Sequence, residues 1–281
     1  MSFVLSLMSE KGGCGKTTGA VNIGCELSIA MNELEHAHKP VLLVDTDPAG
    51  GSTIDIGPSG KKPKKYLSDM IIDFCQDGER SDIRDAIIKT DFPGLDLMPA
   101  DSRLGIATEA IRNQDIAREK VLSQIFSGLE KYYDWIIIDT LGAKHNALAV
   151  NVISLSLPNS KSYIAIPVEP EKKNIQSFFN TKSIINAVVS AGINNTGIIA
   201  VFLTKVDERR SYDKVILEKG FEIFGKAYLP CPIHFSGASV RLATEKNMPI
   251  SYVNPNSRIA KDYEALCAGI VERILGGEYN G

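Results

Sequence analysis

The sequence predicts an α/β protein, a mostly parallel sheet flanked by helices. Three observations predict it. Short runs of β-branched and apolar residues alternate with longer helical stretches along the chain. Those runs are apolar at consecutive positions, as strands covered on both faces must be. A glycine-rich loop separates the first run from the first helical stretch, at the edge where parallel sheets bind their ligands.

In order, the expected strands are FVLSLM (3–8), PVLLVD (40–45), LDLMPA (95–100), WIIID (135–139), YIAIPV (163–168) and GIIAVFLT (197–204). Helices are expected near 16–32, 66–76, 103–130, 146–157, 174–190 and 212–224, and two more near 238–247 and 258–275 follow the last strand. No internal repeat and no linker interrupts this order, so one domain over residues 1–281 is the simplest organisation. The chain has 281 residues, 44% of them hydrophobic, enough to fill a substantial core. One biased segment, GPSGKKPKK at 57–65, reads as a solvated loop, with a DNA or partner contact through Lys61–Lys65 as the alternative.

Composition excludes several classes. With a net charge of -3 and a pI near 5.9, the chain has no bulk attraction for nucleic acid, and any DNA contact must come from a local patch. The cysteines at 14, 25, 75, 231 and 267 form no CxxC pair and no metal-ligand spacing, which favours reduced thiols over a disulfide frame or a zinc site. His36 and His38 form an HxH without a third ligand, and His145 and His234 stand alone. The apolar start lacks a basic n-region and runs directly into the glycine loop, and no other stretch reaches membrane-spanning length. A soluble cytoplasmic protein is expected.

The loop EKGGCGKTTGA, Glu10 to Ala20, carries the chemistry. Lys16 and Thr17 occupy the GK[ST] positions of a GxxxxGK[ST] phosphate loop, the lysine for phosphate and the hydroxyl for Mg²⁺. Gly12, Gly13 and Gly15 let the backbone approach an anion at the N-terminus of the helix that follows, so the nucleotide-binding set read from the loop runs over Gly12, Gly13, Cys14, Gly15, Lys16, Thr17 and Thr18, with Lys11 at its start read as a solvated surface lysine. Cys14 reads as a small buried thiol, a redox switch being the sharper alternative. Asp45 and Asp47 close one strand in VDTDPAGGST and Asp139 closes another in IIIDTLG. A lone strand-end aspartate is commonly a turn former, but three on the phosphate-loop edge converge on one phosphate–Mg²⁺ site. Thr17 would ligate the metal, Asp139 would hold its water shell, and a carboxylate near the γ-phosphate would orient the attacking water.

In order and spacing, KGGCGKTT, VLLVDTDPAG and WIIIDTLG resemble the deviant Walker A, Walker A′ and Walker B elements of the ParA/MinD ATPases. The similarity continues through AIPVEPE, FLTKVDERR and SVRLATEKNMPISYVNPNSRIAKDYEAL, nearly the whole chain, and its tail is closest to the Soj-like ParA-type DNA-partition ATPases. The resemblance implies a deviant P-loop NTPase that uses ATP and Mg²⁺ and closes an ATP-sandwiched homodimer. Lys11, which a phosphate loop does not itself require, would reach the partner subunit's phosphates, joining Lys16 and Asp47 as the catalytic set. Asp47 matches the residue needed for hydrolysis but not for ATP binding, and Asp45 supports Mg²⁺ or the loop. Arg209 and Arg241 match arginines that bind DNA without sequence preference; as bare surface residues they read as solvated or ion-paired. Lys205, Arg210, Lys214 and Lys246 would extend that patch, or are solvated charge. A ParB-like centromere-bound partner would stimulate slow hydrolysis, on the nucleoid and with no membrane involved.

The chain departs from the family pattern in two places. Ala49, Gly50 and Gly51 follow Asp47–Pro48 where DPQGN is usual, and Thr140, Leu141 and Gly142 follow Asp139 where DxPP is common. IDTLG also resembles the nitrogenase iron protein, but Asn146 stands where that protein has a cluster cysteine, which argues against an iron–sulfur reductase. The loop's nearness to the first residue leaves no room for the helix-turn-helix domain of larger plasmid ParA proteins, so none is expected. The expected function is plasmid or chromosome partition. The alternatives are a MinD-like spatial regulator, against which the ending IVERILGGEYNG argues because it is not a basic amphipathic helix, and a ParA-like ATPase that positions a protein cargo.

Overall fold

The computed structural model describes residues 1–33, 39–142, 146–194 and 196–276. The chain runs β1 (Ser2–Leu7), α1 (Lys16–Glu33), β2 (Val41–Asp45), α2 (Gly51–Ile56), α3 (Leu67–Asp77), β3 (Ile88–Lys89), β4 (Leu95–Met98), α4 (Leu104–Arg112), α5 (Val121–Ile125), β5 (Trp135–Asp139), α6 (Ala147–Ile153), β6 (Ser160–Val168), α7 (Lys172–Ser190), β7 (Gly197–Leu203), α8 (Ser211–Glu218), α9 (Gly220–Phe224), α10 (Gly237–Lys246), α11 (Ile250–Val253) and α12 (Arg258–Leu275). His36, His38 and His145 lie outside the described residues, as does the end of the tail.

Seven strands form one sheet in the order β3-β4-β2-β5-β1-β6-β7, parallel throughout except for β3, which runs antiparallel to β4. Successive residues of each strand feed opposite faces: Val4, Leu42 and Ile136 pack under α3, α4, α6 and α7, while Leu5, Leu43 and Ile137 pack under α1 and α12. That two-sided burial is why the strands read as unbroken apolar runs. Beyond β7, the segment 228–234 lies along the strand's free edge, with Leu229 N–H donating to Val201 O and Ile233 N–H to Leu203 O, both at 2.8 Å.

Four elements differ from the sequence expectation, the stretches 103–130 and 212–224, helix α2 and strand β3, whereas the lysine-rich loop is largely exposed as a solvated loop would be. The stretch 103–130 is not one helix: α4 ends at Arg112, the polar run after it carries no apolar stripe, and Ala117 adopts φ 51° before a 3-10 turn at Arg118–Lys120 leads into α5. The stretch 212–224 breaks between α8 and α9 at Lys219–Gly220. Helix α2 was hidden by the paired glycines at its start, and β3 is too short to show a period. The lysine-rich loop is laced to acids of its own chain, Lys61 to Asp91 (3.6 Å), Lys64 to Asp85 (2.9 Å) and Lys65 to Asp73 (2.9 Å).

At the second break, Gly220 opens α9 where only a glycine fits. A Cβ there would lie 2.2 Å from ring atoms of Tyr228, which is 2% exposed and packed by Phe221 and Phe224. Gly220→Ala gains about 0.5–1 kcal/mol of helix preference but must displace a packed ring, a strain of about 1–3 kcal/mol and more where the ring cannot move. A net loss of about 1–3 kcal/mol is expected from urea unfolding; an unchanged midpoint would show that the ring moves freely.

Candidate nucleotide site

The site forms at the C-terminal edge of the central strands. From the end of β1, the loop climbs to α1 through Gly13 at φ 78° and Gly15 at φ 93°, backbone that favours glycine. Lys16, 8% exposed, turns back over the loop and donates to Lys11 O at 3.0 Å. The Cys14 thiol, 1% exposed, donates to the same carbonyl at 3.3 Å. The first-turn N–H groups of α1 face the space the loop encloses, a ready anion site.

Asp45 and Asp139 are register partners on β2 and β5, and both are fully buried. Their environments divide them. Asp45 commits both oxygens to its own chain: Oδ1 accepts from Asp47 N–H (3.0 Å), and Oδ2 accepts from Thr53 N–H (2.8 Å) and the Thr53 hydroxyl (2.7 Å). These bonds build the Walker A′ turn and seat α2, the arrangement that the loop-supporting alternative named from the sequence calls for. Asp139 Oδ2 accepts from the Ser52 hydroxyl at 2.8 Å, while Oδ1 is buried with no hydrogen-bond partner. Burial first, and the Asp45 charge second, push its carboxyl up to about 7, against the pull of the Ser52 and Thr17 hydroxyls and the Lys16 charge.

The open oxygen of Asp139 and the Thr17 hydroxyl are hard oxygen donors, and with the buried Asp45 charge beside them the site is short of positive charge. That donor set fits a magnesium ion held through water. Asp47 lies at the rim, half-buried, with Oδ1 accepting from Ala49 N–H at 2.9 Å. Both departures from the family pattern are tight approaches: a Cβ at Gly51 would meet Thr17 Cγ2 at 2.9 Å, and one at Gly142 would meet Glu10 O at 2.7 Å. Asn146 caps α6, accepting from Leu148 N–H at 2.8 Å.

The other predicted residues lie apart from this cluster. Lys11 turns outward, its Nζ 3.6 Å from Glu171 Oε2. Arg209, 87% exposed, is bidentate to Asp207, and Arg241, 80% exposed, pairs with Glu245 at 2.7 Å on α10. Sequence reasoning missed a cavity of about 280 Å³ beside the loop, lined by Gly15, Thr18, Thr204, Lys205, Phe235 and Tyr263 among others, with Arg241 at its rim. Its wall is braced by His234, which bonds Asp262 Oδ2 through Nδ1 (2.9 Å) and Glu208 Oε1 through Nε2 (2.7 Å). Thr204 and Lys205 follow β7 directly, so the strand-edge rule that picked out Asp139 also applied to them; Phe235 and His234 sit on a loop whose course the sequence does not show.

A phosphate loop opening α1, a buried loop lysine and a strand-end aspartate with a free oxygen define a P-loop nucleoside-triphosphatase. The family model described as "AAA domain" (AAA_31) matches residues 2–198, and the chain belongs to that family; it is a Walker-type ATPase of the ParA/MinD kind. Among its relatives is the sporulation initiation inhibitor protein Soj of Bacillus subtilis, 27% identical over 274 residues, covering 94% of this chain and 96% of Soj. Two solved structures share the fold. The ATP complex of a single-residue variant of Cyanothece McdA has a TM-score of 0.78 at 20% identity and covers 97% of this chain and 96% of that one. The septum site-determining protein MinD of Pyrococcus horikoshii with Mg-ADP has a TM-score of 0.70 at 20% identity and covers 100% of both.

The raised Asp139 carboxyl has a measurable sign. Between its ordinary value of 3.8 and about 7, the folded, nucleotide-free protein keeps a proton that the unfolded chain releases, so stability falls as pH rises through this window. Asp139→Asn removes the cost of ionisation and still accepts from Ser52. In EDTA without nucleotide, Asp139→Asn should match wild type near pH 4 and exceed it by about 1–3 kcal/mol at pH 8. An equal offset at both pH values would assign the gain to something other than titration.

Proposed function

We propose that this chain is an ATP-dependent DNA-segregation ATPase whose ATP-bound homodimer carries nonspecific DNA and releases it on hydrolysis stimulated by a ParB-like partner. The observation that carries the reading is the contrast between the loop's two lysines. Lys16 is folded into the loop, whereas Lys11 stands at its rim on an exposed ion pair with Glu171. Such a pair is worth about 0.2–1 kcal/mol, so Lys11 is released at small cost to meet phosphates brought by a second copy.

In this reading Lys16 and the loop N–H groups hold the phosphates, and Thr17 and Asp139 hold Mg²⁺ and its water. A magnesium ion held there by Thr17 and Asp139 would supply positive charge against the phosphate charge that develops. Asp47, at the rim beside the Walker A′ turn, orients the attacking water. Lys11 adds charge in trans, so the dimer forms only when a triphosphate is present. Arg209 and Arg241 of both subunits then neutralise DNA phosphates. Each guanidinium must first exchange its carboxylate partner for a phosphate, and that competition favours a protein cargo as the second reading.

Lys11→Ala should retain measurable ATP binding and lose the ATP-dependent dimer in light scattering; an undiminished dimer would remove the trans role. Asp47→Ala should keep a long-lived ATP dimer with hydrolysis lowered about 100-fold or more, and wild-type turnover would take Asp47 out of the mechanism. Anisotropy with random-sequence duplex tests the cargo. Binding should require ATP and weaken with salt at about -0.9 in log–log slope per phosphate contacted, and Arg241→Glu should abolish it with ATP binding and dimerisation intact. Equal DNA binding with and without ATP, or none at low salt, would favour the protein-cargo reading.

A further inference from the structure

We propose that Thr204 and Lys205, at the end of β7, clamp the phosphate loop from outside and set its N–H groups for phosphate, with Lys205 the principal positioning residue. The inference rests on the nucleotide-binding reading above and names residues that reading does not use. In a planar trans peptide the N–H points opposite to the carbonyl joined to it. A donor that fixes a loop carbonyl outward therefore fixes the next residue's N–H inward, toward the anion.

Two consecutive carbonyls are held this way. Lys205 Nζ donates to Gly13 O at 2.5 Å, and the Thr204 hydroxyl donates to Cys14 O at 2.9 Å. The N–H groups thereby aimed inward are those of Cys14 and Gly15. The two peptides held, Gly13–Cys14 and Cys14–Gly15, join the loop's two positive-φ glycines, whose freedom would otherwise spread the loop over many shapes.

The clamp is itself braced. Thr204 is 2% exposed and its N–H donates to Val168 O at 2.9 Å, which ties it to the end of β6. The Lys205 head is ion-paired with Glu169, one residue further along that strand's exit. Lys205 adopts φ 54°, a left-handed conformation unusual for a residue with a side chain, and it stays there because Val206 N–H is anchored to Ile233 O at 3.0 Å. The left-handed backbone at Lys205 accompanies a side chain that crosses the loop to Gly13 O while staying half exposed, so Lys205 is better described as part of the nucleotide site than as part of a DNA patch.

The test compares Mg-ATP with inorganic tripolyphosphate, both by calorimetry, for wild type, Lys205→Met, Lys205→Arg and Glu169→Gln. Methionine keeps the stem that lines the cavity and removes the charged head. Lys205→Met should weaken both ligands by the same factor, about tenfold for one charge-assisted bond, while the ligand-free melting temperature moves by less than about 2 °C. Lys205→Arg should recover to within about threefold of wild type. Glu169→Gln should cost less than Lys205→Met, and the double variant no more than Lys205→Met, because Glu169 acts through the lysine. Undiminished tripolyphosphate binding in Lys205→Met, a loss confined to ATP, or a loss that Lys205→Arg does not repair would each overturn the clamp. Wild-type protein that binds neither ligand would instead overturn the nucleotide reading itself, and the clamp with it.

Discussion

Two carboxylates buried side by side, Asp45 and Asp139, at the ends of adjacent parallel strands are the constraint around which this protein is arranged. Neither position is dictated by packing, since each displaces an apolar side chain from a wholly buried strand. Parallel register places them together, and like charges without water repel. The fold separates their fates. Asp45 is absorbed into the backbone by three hydrogen bonds, which turn the chain after β2 and start α2. Helix α2 in turn brings Ser52 to Asp139 and occupies one of its oxygens. What remains is a single open oxygen facing the phosphate loop, so a cation is attracted to one defined place.

A similar division governs the lysines. Lys16 is buried against a carbonyl of its own loop and belongs to the interior of the site, whereas Lys11 is held only by an exposed pair. Burial fixes one charge inside the site, and exposure leaves the other on a weak ion pair at its rim. The arginines expected to touch DNA follow the exposed pattern, each with a carboxylate neighbour. An acidic protein can thus keep its cationic side chains neutralised until a stronger polyanion competes for them.

Much of this was legible in the sequence. The six long strands were visible because two-sided burial writes unbroken apolar runs, and β5 was located to the residue at Trp135–Asp139. The phosphate loop and the three aspartates were visible because glycine and strand-end carboxylates are required by chemistry rather than packing. What could not be read depended on contacts distant in sequence. The division of labour between Asp45 and Asp139 is decided by Thr53 and Ser52, on a helix that Gly50 and Gly51 disguise as a loop. The need for glycine at 220 is set by a ring eight residues further on, and the lysines of 61–65 find acids between 73 and 91 that no local pattern announces. The Thr204–Lys205 contacts span about 190 residues of chain.

The two margins of the sheet bear on how copies of this molecule can associate. At one margin β3 is only two residues long, runs against its neighbour and carries Lys89, whose amine is engaged by Asp96 at 2.7 Å. At the other, the segment 228–234 already occupies the backbone groups of β7. Strand-by-strand accretion, the commonest route by which open sheets form uncontrolled fibres, is closed off at both ends. Among the described residues, the surfaces left for contact with another copy are therefore the helical faces and the nucleotide face rather than the sheet margins.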